Sequence, residues 1–214
     1  MTAFDSRMLA YTDTFGIRLT RPGSYRYALA SHAGKARDEG EEEPTIEVKQ
    51  PTGRDRPRGK GRSHALEVRR SGRRFAPAQP KLEVEAGDVV LFHAADSTVG
   101  AWMVSVAGPE AQFDSRRLGA DCLYTHAFGL PGVYEWRDAY GGPARGRIEV
   151  RSPEAREPKE AEAWMAKLAE GSLITIKGRQ VEPRELSILT GQTVFWLIES
   201  APGISITGAL VEEQ

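Results

Sequence analysis

Apolar and polar positions alternate along most of this chain. In "KLEVEAGDVVLFHAADS" (81–97), Leu82 and Val84 alternate with polar neighbours. Ala86-Gly87-Asp88 then supplies a turn, and Val89 to Phe92 run apolar. This pattern predicts a strand, a tight turn and a second strand. Residues 173–200 repeat the plan, with Ile174 and Ile176, then Leu186, Ile188 and Gly191, then Val194 to Leu197. Residues 132–150 predict two strands around a glycine-rich turn, and 22–48 predict their counterpart with a longer, acidic turn. Only "SPEAREPKEAEAWMAKLAEG" (152–171) has the composition of a helix. Ser152 is placed to cap it, Pro153 suits its first turn and Gly171 its end. Trp164, Met165 and Leu168 share one side, so the expectation is a connector packed by that stripe onto a sheet.

The predicted strands recur as a repeat. "FDSRML" (4–9) matches "FDSRRL" (113–118). Phe15-Gly16, Pro22-Gly23 and Tyr25 match Phe128-Gly129, Pro131-Gly132 and Tyr134, and "TIEV" (45–48) matches "RIEV" (147–150). Residues 173–214 in turn match the front of the central segment: Gly178 and Pro183 have the same spacing as Gly72 and Pro77, and Gly191 stands for Gly87. The expected organisation is a contiguous β-domain over 66–151 and a second, circularly permuted one made of 1–49 plus 172–214. A basic linker (50–65) and a helical connector (152–171) join them. Half a sandwich cannot bury its apolar face or pair its edges alone, so the outer halves are expected to meet, within one chain or between two.

The unit resembles the cupredoxin (plastocyanin-like) family of blue-copper β-sandwiches. The residues that carry this are "LEVEAGDVVLFHAADSTVGAW" and "YTHAFGLPGVYEWRDAYGGPARGRIEV". They follow the family order of a strand, Ala-Gly-Asp, an apolar strand, Asp-Ser, a later Phe, Pro-Gly-x-Tyr, a ligand loop, Gly and a closing strand. The resemblance implies a mainly β chain of two Greek-key sandwiches with one connecting helix. It also implies where copper ligands, two His, one Cys and an axial Met, would stand. Those positions hold Gly100, Asp138, Gly141 and Ala144 in the central unit. In the permuted unit they hold Gly203 or a neighbour, Leu29, His32 and Lys35. One ligand of eight cannot hold the metal, so no type 1 copper site and no cofactor is expected.

Composition narrows the rest. A net charge of −1 gives no field that favours nucleic acid overall. The single cysteine, Cys122, excludes an intrachain disulfide. "MTAFDSRMLAYTD" lacks a basic stretch followed by an apolar one, and no apolar run reaches the ~20 residues of a membrane helix, so a cytoplasmic chain without membrane contact is expected. No Gly-x-Ser-x-Gly, His-Glu-x-x-His or phosphate-loop pattern occurs, and no enzymatic activity is expected. The weak metal candidates are His32, Cys122 and His126, with His93 on a neighbouring strand. Cys122 and His126 at i, i+4 of a strand lie roughly 13 Å apart, against the roughly 4 Å that a shared metal needs.

Three functional readings follow. The first is a non-catalytic structural or protein-interaction module, acting with a protein partner or by self-association. Its contact candidates are Trp136, Arg137, Asp138 and Tyr140, because aromatics with Arg anchor interfaces. The second is a metal-binding or electron-transfer protein with an atypical site. The third is a nucleic-acid-binding accessory protein that uses the basic arm Arg54, Arg56, Arg58, Lys60 and Arg62. That arm has no interleaved aromatics, and the acidic "DEGEEE" (38–43) stands near it in sequence.

Overall fold

The structure is a computed structural model that describes residues 2–31, 43–51, 61–109, 111–153 and 158–211. The chain is mainly β, with one helix among the described residues. In the first part the strands are β1 (Ala3–Asp5), β2 (Asp13–Arg18), β3 (Gly23–Ala30) and β4 (Thr45–Lys49). Next come β5 (Ser63–Ser71), β6 (Arg74–Pro77), β7 (Lys81–Glu85), β8 (Val89–Ala94) and β9 (Met103–Ala107). The repeat then restarts with β10 (Gln112–Asp114), β11 (Cys122–Ala127), β12 (Gly132–Asp138) and β13 (Arg145–Arg151). After α1 (Pro158–Leu168) follow β14 (Ser172–Lys177), β15 (Gln180–Glu182), β16 (Glu185–Leu189), β17 (Thr193–Ser200) and β18 (Ile206–Leu210).

These strands form three sheets. The largest has eight strands in the order β15-β14-β17-β11-β2-β8-β5-β6. Two five-stranded sheets, β1-β18-β12-β13-β16 and β10-β9-β3-β4-β7, complete the molecule. The turn at Ala86-Gly87-Asp88 sends β7 and β8 into different sheets, as does the matching turn between β16 and β17. Each such turn is a corner of a sandwich rather than a hairpin.

Register shows which side of the large sheet faces the core. Residues directly opposite in an antiparallel pair share a face. Trp196 lies opposite Tyr124, Tyr124 opposite Phe15, and Phe15 opposite Phe92. All four are fully buried. Phe4 and Trp136 of one small sheet meet Trp196, and Tyr27 of the other meets Phe92, at ring-centroid distances of 5.4 to 5.9 Å. Both small sheets therefore pack side by side on one face of the large one. The chain forms two β-sandwich bodies that share a continuous back sheet, joined edge to edge at β2 and β11.

The pairing corrects the expected assembly of halves. The strands of 1–49 were to join those of 172–214. Instead β2, β3 and β4 pair with β8, β9 and β7, so residues 13–49 build their sandwich with 63–107. Likewise β11, β12 and β13 pair with β17, β18 and β16, joining 122–151 to 172–210. Among the described residues the strands of the outer segments pair with each other only where β1 adds to β18, and in the matching place β10 adds to β9. Each sandwich thus takes its back half first and its front half second, and the two follow each other in tandem. Matched residues identify halves that can pair, but two backs and two fronts of one design fit together in more than one combination.

The connector also differs. Helix α1 spans Pro158–Leu168 rather than starting at Ser152, and residues 152 and 153 belong to neither helix nor strand. Trp164 and Leu168 are half-buried, while Met165 is 59% exposed and does not join the stripe. Leu168 lies against Gly191 at the β16–β17 turn. The Gln192 side-chain amide holds the end of the helix by donating to the carbonyls of Lys167 and Glu170, at 2.9 and 3.2 Å.

Candidate functional site

The repeated Phe-Asp-Ser-Arg motif is a structural clamp. Its Asp accepts from the backbone N–H and the guanidinium of the Arg two residues on, in both Asp5–Arg7 and Asp114–Arg116. This closes a tight turn at the end of a three-residue strand. The intervening serines, Ser6 and Ser115, are fully buried and accept from the N–H groups of Ile206 and Val104. Such bonds satisfy backbone donors where the short strand ends. The motif therefore docks an added strand onto each small sheet.

At the joint between the sandwiches sits a buried polar cluster. β2 and β11 pair with Asp13 opposite His126, Phe15 opposite Tyr124 and Ile17 opposite Cys122. The Asp13 carboxylate accepts from the Tyr124 hydroxyl at 2.9 Å and lies 2.7 Å from His126 Nδ1. Its second oxygen accepts the Ala10 N–H at 2.7 Å. Asp13, Tyr124 and His126 are 1%, 0% and 1% exposed. The His126 ring stacks on Phe4 and meets the edge of Phe128, both at 4.8 Å. Burial pushes the Tyr124 phenol well above its ordinary pKa, and the adjacent Asp13 charge adds to this. The cluster is closed to solvent, so its consequence is structural: a charged group buried here is tolerable only with its partners in place.

The sequence-selected candidates separate into different environments. Asp138, at the position where the resemblance implies a copper thiolate, ends β12 and is 5% exposed. One of its oxygens accepts from the N–H groups of Tyr140 and Ser205, both at 3.0 Å, and the other from Gly142 at 3.1 Å. It closes its own turn and ties that turn to the strand opposite. Trp136 is 2% exposed, packs on Trp196 and lies against Gly146, so it is core. Neither residue is available as an interface anchor, which corrects that expectation: β12 alternates inward at Tyr134, Trp136 and Asp138. Arg137 and Tyr140 are exposed, and the Tyr140 hydroxyl donates to the carbonyl of Arg116 across the two sandwiches.

His126 points into the core, whereas His93 pairs with Thr14 on the opposite face of the back sheet, so the two cannot share an ion. Cys122 is fully buried, and burial pushes its thiol up to about 12. His32 and the arm residues Arg54, Arg56, Arg58 and Lys60 lie outside the described residues. Arg62 is exposed and its backbone N–H donates to Asp88, which also holds His64 at 2.8 Å. Among the described residues no three His, Cys, Asp or Glu side chains cluster as metal ligands would, and no helix is long and apolar enough to cross a membrane.

Sequence reasoning missed one surface. On the outer face of the back sheet, Leu91, Gly16, Leu123 and Leu197 form one row across four strands. Phe195 and Leu173 follow beside them. A Cβ on Gly16 would come within 2.9 Å of Leu91 and 3.1 Å of Leu123, so these side chains close over the glycine. Leu173 is 52% exposed, and Leu91, Leu123, Phe195 and Leu197 are partly exposed. The available signal was the unbroken apolar runs of β8 and β17, which mark strands apolar on both faces.

No protein-family model matches this chain, and neither a curated protein nor a solved structure matches it.

Proposed function

We propose that this chain is a non-catalytic, copper-free module of cupredoxin-like design that works as a structural and protein-interaction unit. The observation that carries this reading is Asp138. Where the resemblance implies a metal-binding thiolate, a buried carboxylate spends both oxygens on three backbone N–H groups of its own turn and the adjoining strand. A loop closed in this way is built to hold shape. The partly exposed apolar row on the outer face of the back sheet, which ends at the exposed Leu173, supports the interaction part, because scattered apolar residues are ordinary on a surface whereas contiguous ones favour a contact.

Copper titration of the purified protein tests the reading. The expected result is no stoichiometric uptake and no visible thiolate-to-copper band. Stoichiometric uptake with that band would replace the proposal with an electron-transfer protein, and Cys122 would be the first residue to substitute.

A further inference from the structure

We infer that Asp13 and His126 form the recognition element by which each sandwich accepts the other, and not a copy of itself, at the β2–β11 joint. The repeat makes this a real choice. The shift that carries Phe4 onto Phe113 and Tyr25 onto Tyr134 also carries Asp13 onto Cys122, Ile17 onto His126 and Phe15 onto Tyr124, which corrects the match of Phe15 with Phe128 expected from the two Phe-Gly pairs. β2 and β11 are therefore equivalent strands with the same alternation of buried positions. They meet antiparallel about a local two-fold axis between Phe15 and Tyr124. Edges related in this way are close to self-complementary, and a second copy of the chain offers the same two edges.

Three joints are thus geometrically possible: β2 with β11, β2 with β2, and β11 with β11. Only the first puts Asp13 opposite His126. In a β2–β2 joint of the same register, each Asp13 would face Ile17 and each Phe15 another Phe15. The carboxylate would lose the imidazole and the Tyr124 hydroxyl together and keep the Ala10 N–H alone. In a β11–β11 joint each His126 would face Cys122, whose thiol burial keeps neutral. The observed joint satisfies the carboxylate with three donors, and its two-fold mate, Ile17 with Cys122, is apolar. A polar pair on one side of a pseudo-symmetric apolar seam disfavours both self-pairings, the β2–β2 joint through a buried carboxylate and the β11–β11 joint through a buried imidazole left without its partner. A second chain can therefore enter this joint only by offering the complementary edge, which is an exchange of whole sandwiches between two copies.

The test uses the full chain and reads melting temperature and oligomer distribution by native mass spectrometry. Asp13→Val, which strands His126, is expected to lower the melting midpoint by about 10 °C. The double variant Asp13→Val with His126→Val is expected to recover part of that loss, because the imidazole is no longer stranded, while the Tyr124 hydroxyl and the Ala10 N–H still lack the acceptor they have in the wild-type chain. It is also expected to show dimers that the wild-type chain does not form. The exchanged pair, Asp13→His with His126→Asp, is expected to restore the wild-type distribution, and it covers the case in which the double variant fails to fold. The inference is overturned if the double variant folds with the wild-type oligomer distribution. It is equally overturned if Asp13→Val leaves the midpoint unchanged, or if the exchanged pair restores neither stability nor distribution.

Discussion

Phe4 and Phe113 hold the same place in the repeat and meet different surroundings. Phe4, on β1, is 3% exposed and touches the rings of Tyr124, His126, Phe128 and Trp196. Phe113, on β10, is only partly buried, and it lines a surface groove of about 620 Å³ together with Arg26, Arg116 and Arg117. The residue opposite each phenylalanine explains the difference. Phe4 faces Gly208, and its ring occupies the space a Cβ there would need, at 2.4 Å. Phe113 faces Val106, whose own buried side chain fills that space. One glycine admits the borrowed strand into the core of the second sandwich, while one valine keeps the equivalent strand on the rim of the first.

The cores differ accordingly. Phe4, Tyr124, His126, Phe128, Tyr134, Trp136 and Trp196 form one connected aromatic cluster in the second sandwich. Among the described residues the first sandwich joins Phe15, Phe92 and Tyr27 in this way, among aliphatic neighbours such as Ile46, Val84, Val90 and Val104. The same backbone plan accepts either filling, since volume and pattern decide the fold before specific packing refines it.

The largest expected effect separates the two phenylalanines. Phe4→Ala should cost about 3–5 kcal/mol, the range for emptying a buried aromatic site, and Phe113→Ala about 1 kcal/mol, as for a partly exposed position. Equal losses in denaturant unfolding would break the contrast. Gly208→Val sharpens it: the new side chain should displace Phe4 and cost about 3 kcal/mol. Once Phe4 is alanine, only the Glu135 carbonyl, 2.9 Å from a Cβ at 208, still crowds the new side chain, so the same substitution should cost less and the pair should show coupling in a double-mutant cycle. Additive losses would mean that Gly208 serves another purpose. Asp138→Ala ranks next, with about 2 kcal/mol expected from three backbone N–H groups losing their acceptor. Hydrogen exchange at Tyr140, Gly142 and Ser205 should rise in that variant, and unchanged protection there would contradict the role given to Asp138.

How much of this was legible in the sequence follows from what each signal encodes. Alternation and turn residues mark β7, β8, β12, β13, β14 and β17, because burial on one face and positive-φ glycines such as Gly87 and Gly191 are local properties. The repeat was legible as well, since Phe-Asp-Ser-Arg is a local clamp that must recur wherever an added strand ends. The partner of each half was not. β7 carries the same pattern whether it pairs with β4 or with β13, and the choice rests on contacts between residues far apart in the chain. Asp13 and His126 stayed unlinked for that reason, because a carboxylate in one repeat and an imidazole in the other become a pair only through the joint. Trp136 was open to two readings because an alternating strand does not say which of its faces is covered. Asp138 could be placed by the resemblance, but its hydrogen bonds depend on Ser205, which arrives from the other half of the repeat.

The smallest expected effect concerns Cys122, which sits opposite Ile17 across the joint and opposite Ile198 of β17 on its other side. Its thiol is pushed up to about 12 from 9.0 by burial, so the folded chain keeps a proton that the unfolded chain releases above pH 9. Stability should therefore be unaffected by this group below pH 9 and fall as pH rises from about 9 toward 12. Cys122→Val removes the group while keeping an apolar side chain of similar size. Between pH 8 and pH 10 the wild-type chain should lose about 1 kcal/mol more than the variant, since each pH unit past the unfolded pKa is worth about 1.4 kcal/mol. The tyrosines raised by burial, Tyr124 and Tyr27, are present in both proteins and cancel from the difference. Matching alkaline profiles, or rapid labelling of the native thiol, would mean that the Cys122 side of the seam opens to water, whereas protection until global unfolding would show that the apolar flank of the joint is as tightly closed as its polar one.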